Sequence, residues 1–122
     1  MKLATIFSSI FLIFATFFNA QIQPKIEALD AELSTVHYPF PVQFKILKTQ
    51  GQDLKMAFMD AKPAKPNGKT IVLLHGKNFN GYYFEQTAKV LLKEGFRVIM
   101  PDQIGFGKSS KPQQYQFSFQ QL

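Results

Sequence analysis

Two short stretches hold the residue types from which a reactive site could be made. The first is His75-Gly76-Lys77-Asn78-Phe79-Asn80-Gly81. Gly76 and Gly81 let the backbone turn sharply and approach a ligand closely. Free N–H groups near a helix start form a site for negative charge. The same stretch also reads as a plain connection in which His75 hydrogen-bonds the backbone, and taken alone it supports both readings.

The second stretch runs from Asp102 through Gln103-Ile104-Gly105-Phe106-Gly107-Lys108-Ser109-Ser110 to Lys111-Pro112. It imitates three known devices and satisfies none. Gly107-Lys108-Ser109 has the end of a phosphate-cradling loop, but the first Gly of that pattern falls on Asp102, whose carboxylate repels phosphate. Gly105-x-Gly107 begins a dinucleotide fingerprint, yet Ser110 replaces the third Gly and Pro112 interrupts the required helix. Ser109 is not a nucleophile in G-x-S-x-G, because Lys111 stands where the second Gly belongs. The reading that remains is a tight loop tied down by Asp102 and the Ser hydroxyls through local hydrogen bonds.

The elements that must position these loops follow from the hydrophobic period. Pro24 could open a short helix through Ile26, Leu29 and Leu33. Val42, Phe44 and Ile46 then alternate with Gln43, Lys45 and Leu47, a half-buried strand. After the turn residues Thr49 to Asp53, Leu54, Met56 and Phe58 alternate with Lys55, Ala57 and Met59, completing a β-hairpin. Ala61 to Lys69 reads as a solvated loop, broken by Pro63, Pro66 and Asn67-Gly68. Ile71-Val72-Leu73-Leu74 is apolar on both faces, which suits a central parallel strand. A helix from about Tyr82 to Glu94 places Phe84, Ala88, Leu91 and Leu92 on one side, and Gly95 ends it. Phe96 to Met100 forms a second buried strand, closed by Pro101. A hairpin followed by a strand–helix–strand unit is an α/β arrangement whose sheet opens antiparallel and becomes parallel. Both chemistry-bearing loops follow a buried strand, where α/β proteins place ligands. Ser118 and Gln121 have capping-box spacing and read as the opening of another helix.

The chain has 122 residues with no Cys and no Trp, which allows one domain at most and excludes a disulfide-stapled scaffold and thiolate metal sites. Its net charge of +6 comes from basic residues that are all Lys except Arg97. Beyond Lys2 they are spread from Lys25 to Lys111, a solubilising pattern rather than a nucleic-acid face. Met1-Lys2, the apolar run Leu3 to Phe18 and the small Ala20 describe a secretory signal peptide cleaved after Ala20. The run lies at the lower limit of a membrane span, about 17 residues. Few positive charges flank it, which favours cleavage over an anchor. The expected organisation is a signal peptide over 1–20, an N-terminal extension over 21–37 and a domain over 38–122, with a secreted or periplasmic location.

Taken together, L-L-H-G-K-N-F-N-G-Y-Y-F (Leu73 to Phe84) and V-I-M-P-D-Q-I-G-F-G-K-S-S-K-P (Val98 to Pro112) resemble the amino-terminal part of the α/β-hydrolase family. The resemblance is greatest to the branch of esterases, epoxide hydrolases, dehalogenases and C–C bond hydrolases. In that family H-G ends the third strand and D-x-x-G-x-G-x-S follows the fourth. The resemblance covers Tyr38 to Leu122. It implies that the backbone N–H of Lys77 supplies half an oxyanion hole, that Asn78 and Phe79 line the substrate pocket, and that His75, Gly76, Asp102, Gly105, Gly107 and Ser109 build the loops. Glu94 and Arg97 read as surface charges.

The family order of nucleophile, acid and His is not met here. No G-x-S-x-G occurs, and the two His residues, His37 and His75, precede the place of the catalytic one. The expectation is the amino-terminal part of an exported Ser-type hydrolase whose triad lies beyond residue 122, the 122-residue chain alone being inactive. An Asp nucleophile would use the same scaffold. The alternative is a noncatalytic binding or regulatory module of the same fold, and a nucleotide-binding reading falls with Asp102. A small-molecule substrate is implied, with no metal, organic cofactor or nucleic acid, and no stable membrane association after cleavage. Because the family's fifth strand pairs beside the third, Ile71 to Leu74 is expected to be an exposed, aggregation-prone apolar edge.

Overall fold

The computed structural model describes residues 28–118. The signal peptide, residues 21–27 and Gln121 of the capping box lie outside them. Strand β1 (Val42–Thr49) and strand β2 (Gln52–Ala61) form the antiparallel hairpin, in register from Val42 opposite Met59 to Thr49 opposite Gln52. Gln50 and Gly51 both have positive φ, 49° and 70°. That pair of values is the two-residue turn whose twist matches the flanking strands. Strand β3 (Thr70–Val72) is followed by a 3-10 turn (Gly81–Phe84), helix α1 (Glu85–Lys93) and strand β4 (Arg97–Pro101). The four strands form one mixed sheet in the order β1-β2-β4-β3, with β4 antiparallel to β2 and parallel to β3.

Helix α1 covers one face of this sheet. Ala88 has no exposed surface and packs with Met59, Ala61, Val98 and Met100, with Phe84, Leu91 and Leu92 against the same cluster. A small residue at that point lets the helix axis approach the sheet closely. Asn80 opens the helical segment, its side chain accepting from the Tyr82 amide at 3.1 Å.

Three expectations need correction. Phe44 and Ile46 are 52% and 56% exposed, because β1 is an edge strand beyond the reach of α1. In β2 the buried alternation is Ala57, Met59 and Ala61, the side facing α1, so Met56 and Phe58 point to the opposite face. Residues 28–37 form turns rather than a helix. The Asp30 carboxylate accepts the Glu32 and Ser34 amides at 3.0 and 2.9 Å, which draws the backbone out of helical geometry.

By register and alternation, the face away from α1 carries Leu47, Met56, Phe58, Val72, Leu74 and Ile99. No helix among the described residues covers it. β3 is shorter than expected, although the Leu73 amide still donates to Ile99 at 2.9 Å. Val72 and Leu74 are 54% and 66% exposed at the sheet edge.

Candidate functional site

The two loops lie side by side at the carboxyl ends of the parallel strands. Between β3 and the 3-10 turn, the Phe79 amide donates to the Gly76 carbonyl at 3.2 Å, closing a four-residue turn with Lys77 and Asn78 at its centre. Asn78 has φ +68°, the positive value a type II turn requires at its third position. Asn, not Gly76, thus makes the sharp turn expected of glycine. Gly76 has φ outside the positive region and open space where a Cβ would stand. The Lys77 N–H, at the second position of the turn, donates to no acceptor among the described residues.

His75 is buried and locks the two loops together. Its Nδ1 donates to the Gly76 carbonyl at 2.9 Å, and its Nε2 accepts the Gln103 amide at 2.9 Å. Those partners fix the Nδ1–H tautomer. The Gln103 side chain completes the clasp by donating to the His75 carbonyl at 2.6 Å. With both ring nitrogens engaged in backbone contacts, His75 positions the loops and has no nitrogen left for proton transfer.

Asp102 organises the second loop. Its carboxylate is buried and accepts three donors: the Gly81 amide at 2.6 Å, the Lys108 amide at 2.7 Å and the Tyr38 hydroxyl at 2.8 Å. Its carbonyl accepts the Ser109 hydroxyl at 2.5 Å, and Ser109 Oγ in turn accepts the Ala57 amide at 2.8 Å. Ser110 continues the seam, its amide donating to Lys55 O and its hydroxyl accepting the Lys55 amide. The loop therefore takes up the β2 backbone groups beyond the last β4 pair. Gly107, at φ +51°, comes so close that a Cβ there would overlap the Asp102 carboxylate. Ser109 is fully buried as a structural hydroxyl and cannot meet a substrate.

Tyr38 and Lys108 tie residues 28–41 to this hub. Lys108 Nζ donates to the Leu33 carbonyl and lies 5.1 Å from the Tyr38 ring centroid, which accounts for the lysine that imitates a phosphate binder. Burial, and then the hydrogen bond to the Asp102 carboxylate, push the Tyr38 hydroxyl well above its ordinary value. No signal within the sequence pointed to Tyr38, whose partner lies 64 residues away.

A groove of about 670 Å³ opens beside the turn, lined by Lys77, Gln103, Phe106, Lys111, Pro112 and Phe117. Asn78 and Phe79, expected to line the pocket, are exposed and are not among its lining residues. Phe79 instead packs its ring 5.2 Å from that of Tyr83. Lys77 and Gly105 do border the groove. Sequence reasoning missed Lys111, Phe106 and Phe117, which belong to a stretch with no periodic pattern. Among the described residues, no group of His, Asp and Glu is placed to hold a metal ion.

The sheet order and the paired loops define an α/β protein with its candidate site on the parallel strands' carboxyl ends, and sequence comparison gives the family. A sequence profile described as alpha/beta hydrolase fold matches residues 69–122. A haloalkane dehalogenase of Mycobacterium marinum is 40% identical over 78 residues, 63% of this chain and 26% of that protein. Among solved structures, a probable hydrolytic enzyme from Pseudomonas aeruginosa PAO1 superposes with a TM-score of 0.75 at 49% identity, over 78% of this chain and 30% of the other. A haloalkane dehalogenase from Paraglaciecola agarilytica gives 0.57 at 30% identity, over 71% of this chain and 30% of that one. The chain belongs to the α/β-hydrolase family. It spans less than a third of the length of these relatives.

Proposed function

We propose that this chain is the amino-terminal part of a hydrolase that attacks an ester, amide or related bond, with the Lys77 N–H as one oxyanion donor. The observation that carries the reading is that Lys77, in a turn fixed by Asn78, borders an open groove, and its amide donates to no acceptor among the described residues. A tetrahedral intermediate places negative charge on the former carbonyl oxygen, and a donor already in position stabilises it without reorganisation. The relatives named as a haloalkane dehalogenase and a probable hydrolytic enzyme support hydrolysis as the reaction class. His75 is committed to Gly76 and Gln103, so the nucleophile, acid and catalytic His come from residues beyond Leu122. Lys2, the apolar run to Phe18 and Ala20 support export, with cleavage after Ala20.

Two measurements test this. The intact mass of the protein from its native source is expected well above 13.9 kDa, with G-x-S-x-G following residue 122. A mass matching residues 21–122 would overturn the catalytic reading. In the protein as its source makes it, Lys77→Ala should retain most hydrolysis of a neutral ester, because the donor is backbone. Lys77→Pro, which has no N–H, should lose about 3 kcal/mol of transition-state stabilisation. Equal damage from both would assign the role to the lysine side chain instead.

A further inference from the structure

The groove beside Lys77 is lined by two lysines and by apolar side chains. Among the described residues, Lys77 and Lys111 are its charged lining residues and no carboxylate lines it. The Lys111 ammonium is fixed in place, Nζ donating to the Gly107 carbonyl at 2.6 Å and the Ser109 carbonyl at 3.0 Å. An ammonium has three N–H donors, so one remains for a ligand. Burial lowers the proton affinity of this amine, and the carboxylates of Asp102, Glu32 and Asp30 act in the opposite sense from outside the groove. The Lys77 side chain makes no hydrogen bond or ion pair among the described residues. Phe106, Pro112 and Phe117 are its apolar lining residues. Phe117 is itself held, its ring against Gly105 and 4.8 Å from that of Tyr115.

We propose that the groove binds a substrate carrying a carboxylate beside an apolar body, the carboxylate between Lys111 and Lys77 and the body on Phe106 and Phe117. This rests on the hydrolase reading and names its substrate class: an ester whose acyl portion bears a second, free carboxylate. Among the described residues, a carboxylate entering this groove meets two lysines and no lining carboxylate. The lysine already anchored by two carbonyls loses little freedom on binding.

The test separates this from the hydrolase reading. Phenylacetate and its neutral isostere phenylacetamide are titrated into the protein while the Lys77 and Gly105 amide resonances are followed. Phenylacetate should bind about tenfold more tightly at low salt, as one partly desolvated ion pair provides, and the advantage should shrink as salt rises. Lys111→Met and Lys77→Met should each remove most of it, while Lys111→Arg keeps it. Lys77→Met serves if Lys111→Met fails to fold, because the Lys77 side chain holds nothing in place. Equal affinity for the two probes, or a preference that survives both Met variants, overturns the proposal. Turnover of a dicarboxylate monoester is then compared with that of the corresponding neutral diester. Faster turnover of the monoester supports the substrate class, and equal turnover overturns it. Hydrolysis of neither ester overturns the hydrolase reading, and the titration then decides the anion site by itself.

Discussion

Tyr38→Phe removes a single oxygen and tests whether the Asp102 hub depends on the N-terminal segment. The ring remains, so its edge contact with Tyr82 at 5.7 Å and its place under Lys108 are kept. What is lost is a 2.8 Å hydrogen bond to a buried carboxylate. Hydrogen bonds to charged groups contribute about 1.5–3 kcal/mol, and the half-buried position of Tyr38 places this one near 2 kcal/mol. Asp102 is not orphaned, because the Gly81 and Lys108 amides stay on it. Asp102→Asn should cost more, about 3 kcal/mol or above, since one amide oxygen cannot accept three donors. The two changes together should fall short of their sum by about 1–2 kcal/mol, the coupling expected of residues in direct contact.

The assay is urea unfolding followed by circular dichroism, at a protein concentration where light scattering is flat. The pH dependence supplies a second readout. Because the folded state raises the Tyr38 hydroxyl above its ordinary 10.0, its contribution is fully present below that pH and is lost as pH rises toward the folded value. The gap between wild type and Tyr38→Phe should therefore hold from neutral pH to 9 and narrow above about 10. A neutral-pH difference under about 0.5 kcal/mol, the ordinary range of surface substitutions, would refute the argument. So would strict additivity with Asp102→Asn.

Gly107→Ala should destabilise by about 3 kcal/mol, from strain at φ +51° together with overlap on the Asp102 carboxylate, and an unchanged urea midpoint would contradict this. Asp60 accepts Arg97 through both carboxylate oxygens at 2.8 and 2.6 Å, which holds it below its ordinary 3.8. Its stabilisation is present above that value and lost as pH falls through the lower folded one, so Asp60→Asn should flatten the acid limb of a stability–pH profile. Leu74→Lys, placed on the exposed end of the sheet edge, should raise the concentration at which the 122-residue chain scatters light. No change there would show that the apolar face is not what drives association.

What was legible in the sequence is what short-range patterning encodes. The hairpin, the parallel strand pair and the helix between them each follow from periodicity and turn residues within about ten positions, and all three are present. The sides of the strands were harder to assign. In β2 both alternations are apolar, Leu54-Met56-Phe58 and Ala57-Met59-Ala61; α1 covers the second, while in the first Leu54 is buried and Met56 and Phe58 are half-buried. β1 carries a clear alternation, yet its edge position leaves Phe44 and Ile46 exposed. The helix expected around Leu29 and Leu33 gave way to Asp30, whose side chain competes for the same amides a helix would use. H-G and D-x-x-G-x-G lie in two loops that the structure brings side by side, but Tyr38 joins them through a contact 64 residues away that no local spacing reveals.

The wiring of the two loops bears on how the oxyanion donor proposed above can be both exposed and rigid. Among the described residues Lys77 makes no hydrogen bond that fixes it, and the proposed role leaves its amide free for a ligand. Its position is therefore determined from both flanks. On one side His75 and Gln103 exchange hydrogen bonds between the loops. On the other, Gly81 is bound by Asp102, which also holds the Lys108 amide and Tyr38. Five residues separate His75 from Gly81, and both ends are clamped to the same β4 loop, so the turn between them has little freedom to drift. A buried aspartate serves here because one carboxylate can accept from three separate segments at once, where a neutral side chain could not. That explains why a carboxylate, which would repel a phosphate, stands at the position where a phosphate-binding loop would have glycine.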